Sequence, residues 1–261
     1  MDHVNFALVS AGIAAALFVA MLLFVEIGRR VGQHRFAKRG NDSRAGVGVV
    51  DGAVFAVLAL IIGFTFNGAA GRFDKRRDMV VQQANAISTA WQRILFLPQE
   101  AQPPLRAEFQ RYVDALLTAY DHPAGSAEEL RARGVLTDAQ NHIWNTVMDA
   151  TTNPSGEKAR MLLVPAVNEM FDAIDTERMA QRVHPPMLIY LLLGLSALAA
   201  ALFAGYAMST AATRNWLYII GFTATISITS FVVIELESPR LGLLRVDQMS
   251  YVIEELRISM N

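Results

Sequence analysis

The chain contains no cysteine. That excludes disulfides, thiolate nucleophiles and cysteine-held clusters, and leaves the redox compartment open. Charge is scarce as well: 18% of residues are charged and the net charge is -1. No concentrated basic surface can form from so even a balance, so nucleic acid is not an expected partner. No stretch alternates polar and apolar residues for long enough to read as a strand. Catalytic signatures are missing too. The glycines of Gly46-Val47-Gly48 lack the preceding strand and third glycine of a dinucleotide loop, and there is no nucleophile elbow. His3, His34, His122, His142 and His184 are scattered, with no acid at metal-ligand spacing. We expect no enzyme, no cofactor and no metal site.

What the chain has is apolar length. Hydrophobic residues make up 53% of it and the mean hydropathy is +0.30, too apolar for a soluble domain of this size. Four windows are long enough to span a bilayer: Phe6 to Val25, Val49 to Ala70, Pro186 to Met208 and Trp216 to Ile234. The first is read as a retained span, because Asp2 precedes it without any Lys or Arg and its apolar run exceeds that of a signal peptide.

Residues 72–185 are mostly polar and read as helical. Leu105, Phe109, Val113, Leu116, Leu117 and Tyr120 recur at helical spacing, with Arg106, Glu108, Arg111 and Asp114 on the other face. His122 to Ser126 breaks that helix, and a shorter helix and another turn are expected next. Thr137 is the predicted N-cap of a helix carrying Ile143, Trp144 and Val147, closed around Pro154. A further helix carries Leu162, Val167, Met170, Phe171 and Ile174, and Pro165 should kink or restart it. Pro185 and Pro186 mark the next membrane boundary. The expected division is therefore 1–71, a membrane hairpin; 72–185, a helical extramembrane domain; 186–236, a second hairpin; and 237–261, a C-terminal amphipathic helix. In that last helix Asp247 is the expected N-cap, and Met249, Ile253 and Leu256 share a face expected to pack back on the central helices, the alternative being a separate partner site.

From Asp51 to Leu97 no proline interrupts the passage from apolar to polar residues, so one helix of about 70 Å is expected, more than twice the hydrocarbon thickness. At about 100° per residue, Ala56, Leu60, Phe64, Asn67, Gly71, Asp74, Asp78, Gln82 and Asn85 share one stripe. Arg72 and Arg76 lie far round the helix and Asp51 lies opposite. Along the stripe the chemistry runs from apolar, through an aromatic, to amide and carboxylate. Copies of it around an axis would form an apolar constriction opening into an acidic vestibule, an arrangement suited to a gated ion path. Packing against neighbouring spans is the competing reading of Ala56, Leu60 and Phe64, and local pairing with Lys75 or Arg77 that of the two aspartates.

The stretch Gly63-Phe64, Asn67, Ala69, Arg72-Phe73 and Arg77 resembles the second span of bestrophins, where an Arg-aromatic pair also stands nine residues after the glycine. Glu235-Leu236-Glu237-Ser238-Pro239 resembles their Glu-Leu-Glu-Asn-Pro stretch, and Ile253-Glu254 matches a similar pair. These matches cover about a quarter of the chain and are closest to the short bacterial bestrophin-like membrane proteins. The resemblance implies an all-α fold with four spans, a pentameric assembly in the bacterial inner membrane, and a neck formed by Ala56, Leu60 and Phe64. The helical wheel selects that same face independently. The chain departs from the family at Val80, where an aromatic is usual, and at Pro239 to Gly242, which replaces Pro-Phe-Gly. No acidic clasp like that of animal bestrophins follows Pro239, so no calcium site is expected.

Orientation is left open. Arg29, Arg30, Arg35, Lys38, Arg39 and Arg44 after the first span favour a cytoplasmic loop there, whereas the resemblance places the central domain and both termini inside; Arg72, Lys75, Arg76 and Arg77 form a second basic collar. Carboxylates Glu235 and Glu237 at the membrane edge are costly unless solvated or paired, and solvation at headgroup level is the simpler expectation. Thr223, Thr225, Ser227, Thr229 and Ser230 should hydrogen-bond within the bundle. Two functions follow. One is a homo-oligomeric channel for inorganic ions, with neck residues Ala56, Leu60 and Phe64 and a cation-favouring vestibule of Asn67, Asp74 and Asp78. The other is a non-conducting scaffold or sensor that works through its extramembrane helices.

Overall fold

The computed structural model describes residues 3–39, 47–122, 125–152, 156–211, 213–237 and 250–261. Among these residues there is no strand, and helices follow in the order α1 (His3–Arg39), α2 (Val47–Arg93), α3 (Gln102–Asp121), α4 (Ala127–Ala150), α5 (Glu157–Arg182), α6 (Met187–Ala207), α7 (Trp216–Glu237) and α8 (Ser250–Ser259). Helices α1, α2, α6 and α7 are each long and apolar enough to cross a membrane. The chain is therefore an all-α membrane protein with four such helices. It divides into two compact units: a spanning unit of Val4–Gly71 with His184–Ser238, and a polar unit of Arg72–Val183 with Pro239–Asn261 and the first residues of the chain.

The spanning unit is held together by small contacts at close range. Met21 and Val25 of α1, Leu58 of α2, Leu193 and Ala197 of α6 and Ile226 of α7 form its core. Where α1 meets α6 the backbones touch: a Cβ added to Gly28 would lie 1.9 Å from the Leu202 carbonyl oxygen, and one added to Gly205 would lie 1.9 Å from that of Val25. Any larger residue at either position would collide with backbone, and such close approach of small residues is one of the main sources of helix association in lipid. Phe55 meets Phe222 edge to face at 5.7 Å, a favoured aromatic geometry.

The polar unit buries large side chains instead. Ile87 and Ile94, Phe109, Tyr112 and Leu116 of α3, Ile143 of α4, Met170 and Ile174 of α5, and Ile253 of α8 share one core. The face predicted for α3 is the buried one; Leu117 alone is only partly covered. Pro103 and Pro104 open α3 where a missing N–H costs nothing. Trp91 packs on Phe109 and carries Arg106 over its ring at 4.9 Å. Burial pushes the Tyr112 phenol well above the usual tyrosine value of 10.0. Helix α8 packs on α3, where Arg257 grips Asp114 through two hydrogen bonds of 2.7 and 3.1 Å.

Three expectations are corrected. The interval after His122 holds one helix of 24 residues, not a short helix and a turn. Its N-cap is Ser126, whose hydroxyl accepts from the Glu129 N–H at 3.1 Å while the Glu129 carboxylate accepts from Gly125 N–H, a close variant of the capping box. Thr137 lies inside that helix and donates to the Arg133 carbonyl. Second, of the two outcomes expected at Pro165, the restart does not occur, since α5 runs through it for 26 residues; the Leu162 carbonyl three residues earlier accepts from Arg93 at 2.6 Å. Third, Glu235 and Glu237 are both buried rather than solvated. The predicted cap Asp247, together with Met249, Ser238, Pro239 and Pro154, lies outside the described residues.

Candidate functional site

Helix α2 runs unbroken over 47 residues and contains no proline, the one residue that would remove a backbone donor from its interior. Its burial divides cleanly by angle. In the spanning unit Asp51, Leu58, Thr65 and Ala69 face inward, and in the polar unit Arg76, Val80, Gln83, Ala84 and Ile87 do the same. All nine residues of the predicted stripe, from Ala56 to Asn85, are exposed. Leu60 is 57% and Phe64 70% exposed, although both are large apolar side chains on a helix whose other face is packed. No Cβ on Gly63 or Gly71 would meet anything within 4 Å. The chain covers one face of its longest helix with its own residues and leaves the opposite face bare.

The chemistry of the bare face changes along its length. Asn67 is exposed close to the spanning unit's end of the stripe. Past it, Asp74 has Arg77 at 4.0 Å, a loose pair with both side chains largely in solvent, which supplies little net energy. Farther on, Gln82, Asn85 and Thr89 line an open groove of about 380 Å³ whose other wall is Glu169, Asp172 and Thr176 of α5. The sequence reading did not single out Glu169 or Asp172. Their place three residues apart on the polar face of α5 was the available signal, but nothing local tied that face to α2.

Other predicted residues serve the scaffold. Arg76 is buried and donates to the carbonyls of Ala180 (3.4 Å) and Val183 (3.2 Å) at the end of α5. A cation there also complements the negative end of the helix dipole. Arg72 and Phe73 are half-buried, with Phe73 against the core of the polar unit, while Arg77 is exposed. Glu235 accepts a hydrogen bond from Ser10 of α1, which brings the two ends of the spanning unit's sequence together. Among the described residues no three histidine, aspartate or glutamate side chains converge as metal ligands do.

The model of the Bestrophin-like domain family matches residues 13–251, nearly the whole chain. The chain belongs to the bestrophin-like family. Its fold agrees with solved structures of a bacterial bestrophin homologue from Klebsiella pneumoniae, determined as single-substitution variants. One of them matches at a TM-score of 0.68 with 14% identity over 95% of this chain and 97% of the other. A second gives 0.67 with 15% identity over 93% and 98%, and a third 0.65 with 15% identity over 94% and 98%. Comparison with curated proteins gives no match. At these identities the structural likeness concerns the bestrophin fold, and the role of each residue on α2 rests on its own geometry.

Proposed function

We propose that this bestrophin-like protein is a homo-oligomeric ion channel of the bacterial inner membrane in which α2 of each copy faces a common axis. The observation that carries this reading is the uncovered stripe of α2. An apolar face alone would suit lipid, but this face continues through Asn67 into Asp74, Asp78, Gln82 and Asn85, all exposed. Amide and carboxylate groups in line with a lipid-facing stripe would be costly where the bilayer reaches them. A water-filled lumen accommodates both ends. Ala56, Leu60 and Phe64 then form the neck, where a dry constriction gates by dewetting, and Asn67, Asp74 and Asp78 the vestibule. Glu169 and Asp172, across the groove from Gln82 and Asn85, add acid to that vestibule and support a preference for cations. Five copies is the number implied by the bestrophin resemblance.

The test is reconstitution of the purified protein in planar bilayers. Leu60→Ala or Phe64→Ala widens the neck, and unitary conductance should rise about twofold or more; absence of current from the parent and both variants would sink the channel reading. The double variant Asp74→Asn with Asp78→Asn should move the reversal potential in a salt gradient toward the anion value. An unmoved potential removes the cation preference and leaves conduction standing.

A further inference from the structure

The apolar run of α1 ends at Val25, and charge gathers directly after it. Glu26 accepts a hydrogen bond from Arg30 Nε at 2.9 Å and another from Arg214, in the turn between α6 and α7, at 3.2 Å. Both end on the same carboxylate oxygen, Oε1. The charge of Arg29 reaches that carboxylate too, while its guanidinium donates to the Ala211 carbonyl at 3.3 Å. Among the described residues no other acid pairs with any of the three arginines. One carboxylate thus draws three guanidiniums together, and like charges at such range repel unless a further anion joins them.

The cluster is held in place from two sides. Arg29 and Arg30 stand between Gly28 and Gly32, where α1 lies so close to α6 that an added Cβ would collide with the Leu202 carbonyl or the Ser209 side chain. Arg214 lies over the Trp216 ring, 5.7 Å from its centroid, a cation–π contact. The sequence sets the level of the cluster: Glu26 is the first charged residue beyond the apolar run of α1, and Arg214 the last before that of α7. Hydrocarbon gives way to headgroups at such a boundary, and an exposed tryptophan such as Trp216 belongs there.

The donors face outward. The Arg30 side chain is 76% exposed and that of Arg214 45%, and each gives one nitrogen to Glu26 while its fork retains further N–H groups. Two such forks suit the free oxygens of a phosphate. Ile27 and Leu217, each three residues from one of these arginines, are also exposed. A phospholipid offers phosphate at this level and acyl chain next to it; inorganic phosphate would match the arginines alone. A headgroup with its own cation, as in phosphatidylcholine, cancels the attraction. We propose that Arg30 and Arg214 bind the phosphate of an anionic phospholipid, with the charge of Arg29 behind them. The site does not depend on whether the protein conducts.

The test is native mass spectrometry of the full-length protein in detergent, titrated with phosphatidylglycerol or with phosphatidylcholine of the same acyl chains. Phosphatidylglycerol should bind about tenfold more tightly or better, since each interfacial arginine is worth about fivefold toward an anionic lipid. Arg30→Gln and Arg214→Gln should each lower its affinity by about fivefold. Glu26→Gln removes the internal competitor and should raise it by a similar factor. Arg131→Gln, at an exposed position of α4, should change nothing. Equal affinity for the two lipids overturns the proposal. An effect of Arg131→Gln equal to that of Arg30→Gln reduces the binding to bulk charge and overturns the site, as does affinity unchanged in all three cluster variants. Displacement of the lipid by millimolar inorganic phosphate would assign the site to the free anion and overturn the lipid.

Discussion

The spanning unit and the polar unit are both helical bundles, yet they solve the packing problem with opposite materials. The polar unit closes on Phe109, Tyr112, Ile143, Met170 and Ile174, all essentially inaccessible, because water rewards the burial of large apolar area. The spanning unit has a smaller core, in which alanines stand beside Met21, Leu58 and Ile226 and glycines bring α1 against α6, and its most apolar stretches remain largely uncovered, with 17% of the α2 window buried. Lipid exacts little for leaving leucine or phenylalanine outside, so much of the bulk stays there, and close backbone contact helps to hold the helices. Exposure therefore means different things in the two units. Single exposed leucines occur in the polar unit as well, at Leu95, Leu130 and Leu162, so exposed Leu60 and Phe64 become informative only through their alignment with exposed amides and acids farther along α2.

The contrast can be broken most sharply at a glycine. Gly205→Ala drives a Cβ into the Val25 carbonyl and should cost more than about 4 kcal/mol, read as loss of monodisperse protein in detergent chromatography. Gly12→Ala, whose Cβ meets open space, should leave the elution profile and melting temperature of the parent. Equal damage from both would mean that backbone proximity is not what organises the spanning unit. In the polar unit the sensitive quantity is volume: Phe109→Ala should cost about 3–5 kcal/mol, followed by the fluorescence of Trp91 and Trp144 during urea denaturation. A smaller expected effect concerns alkaline pH. The Tyr112 phenol has its pKa raised by burial above 10.0, so its contribution is complete below that value. As pH rises further the unfolded chain releases the proton first and stability falls. Tyr112→Phe should therefore flatten the loss of stability between about pH 10 and 11.5, measured by the same denaturation at fixed pH steps.

Periodic features were legible from sequence, and pairings at a distance were not. The stripe on α2 follows from helical geometry once a helix is granted, so its nine members emerged together. The same holds for the buried face of α3, whose leucine, phenylalanine and tyrosine positions repeat every three or four residues. A helix after residues 122–126 was expected and α4 starts there; what misled was Thr137, a cap-type residue just before the apolar run, which suggested a turn inside a helix that is continuous. The burial of Glu235 was out of reach: its partner Ser10 is 225 residues away. A local reading could say that the carboxylate must be solvated or paired, but not which residue would pair with it. Glu169 and Asp172 illustrate the remaining gap. Their charge is plain in the sequence, but their position opposite Gln82 and Asn85 depends on how α5 docks on α2.

The guanidinium of Arg76 gives that dependence a temporal side. Helix α5 lacks a glycine or asparagine at its C-terminus, and its last carbonyls are taken instead by a residue 104 positions earlier in the chain. A ribosome releases Arg76 long before it makes Ala180, so the donor waits for its acceptors. The contact that caps α5 thus closes a loop of 104 residues, and the entropy of closing so long a loop must be met before the contact forms.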